Sequence, residues 1–315
     1  MLLYNIILFL AGAVLLYFGA EMLVKGSSRL ALLLGIRPII VGFTVVAMGT
    51  SSPELAVSLI AAIQNSKDIA LGNIIGSNIA NLALVIGAAA LIRPITIKRS
   101  TSRREMPFLI GTSIVFLLIS LDGELSRGDG IILLVLFAVF LWYILYMALK
   151  KRQIRPDVEP DIADGKKSSL INLVYSIIGV LMLVISSNLI IRSATFLATE
   201  FGISHIVIGM TVVALGTSLP ELAVSSVSSL RNESDILVGN VVGSNLFNTL
   251  LIIALVAVLY PIPVKKEILS FHYPYMIGLT LLFLPMITLK KVISRIEGVF
   301  LLCLYAVFIY LLFFK

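Results

Sequence analysis

The chain has 315 residues, of which 59% are hydrophobic and only 13% charged, with a formal net charge of +7. Soluble domains carry about 25% charged residues, so the apolar excess belongs to lipid-facing and helix-facing surface and excludes an ordinary globular protein. The single cysteine, Cys303, excludes disulfides within the chain and thiolate metal clusters. Unbroken apolar runs of roughly 20 residues exclude the short alternating strands of a membrane barrel and predict an all-α integral membrane protein.

Ten spans are predicted, at about 2–24, 36–64, 69–92, 106–121, 129–149, 169–191, 203–230, 236–259, 269–289 and 296–314. The first lacks a basic leader and runs on into the transmembrane pattern, so no cleavable signal peptide is expected. The stretch KKRQIRPDVEPDIADGKK, with two prolines and mixed charge, reads as a linker over 150–168 between a first unit, 1–149, and a second, 169–315. With the N-terminus outside, 18 of the 24 Lys and Arg fall in cytoplasmic loops. The positive-inside rule therefore predicts both termini outside and the linker in the cytoplasm, in the plasma membrane. This distribution accounts for the net charge without nucleic acid. No obligatory protein partner is evident.

The strongest signal is internal. VVAMGTSSPELAVS (45–58) recurs as VVALGTSLPELAVS (212–225), and GNIIGSNIAN (72–81) as GNVVGSNLFN (239–248), at a constant offset of 167. Between Ile39 and Asn81, 24 of 43 positions match their partner, so 39–81 and 206–248 are copies of one motif. A unit of five spans is odd, so the second copy enters the membrane the other way. The expected architecture is two inverted five-helix repeats with broken second and seventh helices and a site at their interface.

The motif is rich in oxygen. Pro53 lacks an N–H, its ring clashes with the carbonyl of Gly49, and glycine is itself a weak helix former, so the helix should break there and free the carbonyls of Ala47, Gly49 and Thr50. Such carbonyls are tolerated at membrane depth only inside protein or facing a polar cavity. Glu54 follows the break, where an unpaired carboxylate costs about 2.5–3.5 kcal/mol on insertion scales. Ala47, Thr50, Ser51 and Glu54 share one face of a continuous helix. Ser77 and Asn81 lie with Asn73 on a polar stripe of the next span, beside Gly72 and Gly76, whose spacing lets another backbone approach. The second copy supplies Ala214, Thr217, Ser218, Glu221, Ser244 and Asn248, with Asn240, Gly239 and Gly243. Together these are two carboxylates, hydroxyls, amide oxygens and carbonyls, with neither His205 nor His272 in the motif, a set suited to hard cations. No Lys or Arg lies deep in a span to pair with either glutamate. Asn73, Asn78, Asn240 and Asn245 are expected as helix-packing polar groups. Glu21 should form an interfacial pair with Lys25 four residues on, and Asp68 and Asp235 should cap the helices that follow them.

The duplicated pair GTSSPE/GTSLPE with GNIIGSN/GNVVGSN closely resembles the repeats of sodium/calcium exchangers, of the calcium/cation antiporter superfamily. The resemblance covers both repeats, the ten-span count and the linker. It implies a ten-helix antiporter carrying Ca2+ and Na+ without a cofactor. Glu54 and Glu221 would bind calcium with the backbone oxygens of Thr50 and Thr217. Sodium sites would draw on Ala47, Ser51 and Ser77 in one half and Ala214, Ser218 and Ser244 in the other, with Asn81 and Asn248 between, and the first span of each unit would slide across a rigid core. Some relatives, including potassium-dependent ones, carry Asp where this chain has Asn248. The site then holds two negative charges, against potassium co-transport. The acidic GN-motif residue of proton/calcium exchangers is absent, although proton/calcium exchange, with H+ as counter-ion, stays the alternative. A channel fits the inverted repeat less well, and no H-E-x-x-H or Ser–His arrangement points to an enzyme.

Overall fold

The computed structural model describes residues 1–97, 99–150, 165–201, 214–286 and 292–314, and the chain there is almost wholly helical. In chain order the helices are α1 (Leu2–Leu34), the bent pair α2 (Pro38–Thr50) and α3 (Ser52–Ile63), then α4 (Lys67–Ile92), α5 (Arg99–Ile119) and α6 (Arg127–Lys150). The second unit has α7 (Gly165–Glu200), α8 (Ala214–Thr217), α9 (Leu219–Leu230), α10 (Ser234–Leu259), α11 (Ile268–Met286) and α12 (Arg295–Phe314). Among the described residues, seven helices are long and apolar enough to cross a bilayer, and α2 with α3 makes an eighth. Of the expected span 203–230, residues 203–213 lie outside the described residues, as do 151–164 of the expected linker.

Three helices outrun their expected spans, α5 by starting at Arg99 rather than near 106. α1 continues past Val24 to Leu34 and stops where Gly35 turns left-handed at φ 65°. α7 starts at Gly165, inside the stretch read as linker, and ends at Glu200. Hydropathy marks where lipid ends, not where hydrogen bonding ends, and Lys and Arg are good helix formers. At 1.5 Å per residue α1 is about 50 Å long, well beyond the roughly 30 Å hydrocarbon layer.

α1 and α7 run antiparallel in contact along their length. A Cβ on Gly19 would lie 2.9 Å from Met182 Cβ, and one on Gly179 would lie 2.7 Å from the Leu23 nitrogen. Their hydroxyls meet as well, with Ser27 Oγ 3.4 Å from Ser176 Oγ. A small apolar cluster of Ala20, Leu23, Val24, Val41, Leu183 and Val224 joins this pair to the rest. The main core is separate, built chiefly by α4, α6, α10 and α11 with α2 and α12. α4 and α10, which carry the GN motifs, are buried along most of their length, so their Asn and Ser side chains face protein rather than lipid.

The two units clasp each other outside the helices too. β1 (Ile95–Thr96) pairs antiparallel with β4 (Val292–Ile293), and β2 (Glu124–Leu125) with β3 (Ile262–Pro263), so each ribbon takes one strand from each unit. Asn65 and Asn232, again 167 apart, take left-handed φ values of 59° and 60° in equivalent turns. Capping boxes start α6, where Ser126 N–H donates to Asp129 Oδ2 at 2.9 Å, and α12, where Ser294 N–H donates to Glu297 Oε2 at 2.7 Å.

Three expected charge roles change. Glu21 pairs with Arg231, across 210 residues, rather than with Lys25, accepting from its Nε at 2.8 Å. Tertiary packing brings a guanidinium within reach of Glu21, which the i, i+4 pattern could not reveal. Asp68 lies in the first turn of α4, after the N-cap Ser66, and pairs with Lys265, whose ammonium pKa is raised by that bond. Asp235 lies in the first turn of α10, whose N-cap is Glu233. Both aspartates still favour their helix N-termini through the dipole.

Candidate functional site

The site forms where the two helix breaks meet the two GN helices. α2 and α3 diverge by 44° at the break. Ser51 sits there at φ −80°, ψ 7°, and Ser218 repeats it at φ −87°, ψ 3°. Pro53 and Pro220 start the next helix within its first two positions, where their missing N–H costs nothing. Not every carbonyl expected free is so: Ala47 O accepts Ser51 N–H at 3.0 Å. Gly49 has a second reason to be glycine, since a Cβ there would collide with Val180 of α7; Gly216 stands likewise against Ile191.

Glu54 and Glu221 fall in the first turns of α3 and α9, where the helix dipole favours a carboxylate. Both are buried, and among the described residues neither has an ion-pair partner. Each is held by one serine of its own copy and one of the other. Glu54 Oε1 accepts Ser77 Oγ and Ser218 Oγ, both at 3.3 Å. Glu221 Oε1 accepts Ser244 Oγ at 3.3 Å and Ser51 Oγ at 3.1 Å. Ser51 thus reaches across to the other copy, because the bend removes the shared face that a continuous helix would have given it with Glu54.

A second layer repeats the exchange. Thr50 Oγ1 donates to Asn240 Oδ1 at 3.0 Å and Thr217 Oγ1 to Asn73 Oδ1 at 3.3 Å. Asn73 Nδ2 donates to Ser58 Oγ at 3.1 Å, and Asn240 Nδ2 to Ser225 Oγ at 3.3 Å. Asn81 Nδ2 donates to Asn245 Oδ1 at 2.9 Å and Asn248 Nδ2 to Asn78 Oδ1 at 3.1 Å. Asn81 and Asn248 each open a π-helical turn, a local widening frequent at functional sites. The four asparagines expected to tie helices together therefore join the two copies around the glutamates.

What remains unbonded defines the chemistry. Among the described residues, Glu54 Oε2, Glu221 Oε2, Asn81 Oδ1 and Asn248 Oδ1 are buried acceptors with no hydrogen-bond donor. Buried polar atoms are ordinarily paired, and a buried charge needs a partner. Four such oxygens, two of them carboxylate oxygens, are related in pairs by the offset of 167. Among the described residues no three of His, Cys, Asp and Glu come together, so the carboxylates here number two.

Of the expected ligands, Glu54, Ser77, Ser51, Thr50, Asn81 and Ala47 meet Glu221, Ser244, Ser218, Thr217 and Asn248 in this network, and Ala214 opens α8 beside them. Gly239 brings the copies close: a Cβ there would sit 2.7 Å from Ile39 O. The stretch 206–210, equivalent to 39–43, lies outside the described residues.

The pattern of the family described as sodium/calcium exchanger protein matches residues 4–146 and 171–314. The chain belongs to the sodium/calcium exchanger family. It is 31% identical, over all of both chains, to sodium/calcium exchanger MaX1 of Methanosarcina acetivorans. It is 35% identical to inner membrane protein YrbG of Escherichia coli, over 88% of this chain and 86% of that one. A solved structure of the sodium-calcium exchanger NCX_Mj superposes with a TM-score of 0.86 at 32% identity, covering 98% of this chain and 99% of that one. The resemblance carried by the two motifs thus holds. This member of the family is a multi-pass membrane transporter, not an enzyme.

Proposed function

We propose that the chain exchanges sodium for calcium by alternating access, with one calcium ion held between Glu54 and Glu221. The observation that carries this is the set of four buried, donor-free oxygens, Glu54 Oε2, Glu221 Oε2, Asn81 Oδ1 and Asn248 Oδ1. Two carboxylates neutralise one divalent ion, and calcium takes 6–8 oxygens, which the neighbouring hydroxyls and main-chain carbonyls extend toward. The hydroxyls of Thr50 and Thr217 are turned to Asn240 and Asn73, and in this reading the two residues serve calcium through their main-chain oxygens. Ser51, Ser77 and Ala47, with Ser218, Ser244 and Ala214, divide into the two smaller oxygen sets that sodium needs.

The reciprocal bonds support reading the chain as two inverted five-helix repeats, 1–149 and 169–315; the Lys and Arg distribution supports ten spans in the plasma membrane with both termini outside and the linker 150–168 cytoplasmic. In proteoliposomes an outward-directed sodium gradient should drive uptake of radioactive calcium, and Glu54→Gln should abolish it. Uptake driven equally by a pH gradient without sodium would make H+ the counter-ion instead, and normal sodium-driven uptake by Glu54→Gln would sink the site.

A further inference from the structure

We infer that Asn78 and Asn245 are positioning residues that fix which end of the Asn81 and Asn248 amides faces the ion; this rests on the cation-site reading above. A side-chain amide has an acceptor end and a donor end of nearly equal size, and only the acceptor end serves a cation. The orientation is read from neighbours that cannot donate.

Asn245 lies 3.3 Å, through Nδ2, from the main-chain carbonyl of Asn78, which only accepts. Its NH2 must therefore face Asn78, and its Oδ1 must face Asn81. Asn81 can meet that oxygen only with its own NH2, as it does at 2.9 Å. The Asn81 oxygen is thereby turned away, and it is one of the donor-free acceptors of the site.

The other half reaches the same result by a different anchor. Asn78 Nδ2 lies 3.7 Å from Met276 Sδ, a thioether that cannot donate, and 3.0 Å from Thr249 Oγ1. Asn78 Oδ1 then faces Asn248 and takes its NH2 at 3.1 Å, leaving Asn248 Oδ1 donor-free. All four asparagines are buried, so water does not compete for these bonds. With an anchor removed, the Asn81 or Asn248 amide is free to turn its NH2 inward, where it repels the cation.

The test is a cycle on the full-length chain in detergent, read as the Ca2+ concentration that half-saturates thermal stabilisation. Asn245→Leu should raise that concentration about 10- to 100-fold, as loss of a ligand-orienting partner does in metal sites. Asp at position 81 has oxygen at both ends and needs no orienting. In the Asn81→Asp background Asn245→Leu should therefore shift it by much less than in the unaltered background. Asn78→Leu read with and without Asn248→Asp is the parallel cycle, should Asn245→Leu fail to fold. Equal loss in both backgrounds, or no loss in either, overturns the inference and leaves these asparagines as packing groups. An unaltered chain that responds to neither Ca2+ nor Na+ overturns the cation-site reading itself, and this inference with it.

Discussion

The two ends of the molecule are not equivalent, and the difference should set which way the exchanger rests. Two polar contacts tie α1 to the turn between α9 and α10: Glu21 with Arg231, and Ser28 Oγ with Glu233 Oε1 at 2.6 Å. Their counterparts 167 residues away are Asn188 and Gln64, and Thr195 and Ser66, with no charge among them. In the proposed orientation the tethered turn is cytoplasmic, so the contacts hold the inner side closed. The ion pair is partly exposed, with side chains 37% and 26% accessible, and is worth about 0.5 kcal/mol. The serine bonds a charged and half-buried acceptor, for about 1.5 kcal/mol. Together, at about 2 kcal/mol, they favour the outward-open state about thirtyfold. Apparent affinity at either face scales with the fraction of the state open to it. Glu21→Gln with Ser28→Ala should thus lower half-saturating Ca2+ at the inner face about fifteenfold, as the inward-open fraction rises from about one in thirty to about one half, and raise it only about twofold at the outer face. Calcium flux into inside-out and right-side-out vesicles measures the two faces separately. Equal shifts at both faces would refute the reasoning, as would a charge swap, Glu21→Arg with Arg231→Glu, that fails to restore the ion pair's share. Installing the mirror pair, Asn188→Glu with Gln64→Arg, should act in the opposite sense.

Other substitutions test other links. Gly239→Val forces a side chain against the Ile39 carbonyl and Gly42 Cα, and overpacking of this kind costs about 1–3 kcal/mol, read as a lowered unfolding temperature in detergent. Glu221→Gln should abolish sodium-driven calcium uptake while the chain still folds, because it removes half the charge of the site; uptake at the normal rate would contradict the assignment. Lys265→Ala should cost the same small amount of stability throughout pH 5 to 8, since Lys265 is exposed and Asp68 only partly buried. The raised lysine pKa gives stability that is present below the unfolded value and is lost only as pH rises through the folded one, in the alkaline range. A loss in that variant that changed between pH 5 and 8 would contradict this reading of the pair.

Most of the site could be read from the duplication, because 24 matches in 43 positions single out the residues that both copies must keep. The family, the paired glutamates and the broken helix followed from Pro53, Gly49 and Glu54. What could not be read is which copy serves which. Helical periodicity sets Ser51 beside Glu54, whereas the bend sends it to Glu221. Gly49 read as a helix breaker, yet it also makes room for Val180, a contact with no sequence signature. Span ends failed at α1 and α7 because a helix that leaves the bilayer keeps its hydrogen bonds after its residues stop being apolar. Glu21 failed for a related reason: its partner lies 210 residues away, beyond any local pattern.

The same duplication constrains energetics. If the copies exchange roles when access alternates, every contact repeated at the offset of 167 contributes equally to both states and cancels from their balance. The glutamate–serine exchanges and the Asn81–Asn245 and Asn248–Asn78 bonds are of this kind, so they hold the site together in either state without choosing between them. Only unduplicated contacts can choose. Glu21 with Arg231 and Ser28 with Glu233 are unduplicated, and they sit where α1, joined to α7 but outside the main core, meets the rest. A transporter of this design is free to change its resting state by substitution at helix ends while leaving ion binding untouched, and the vesicle experiment above separates those two properties.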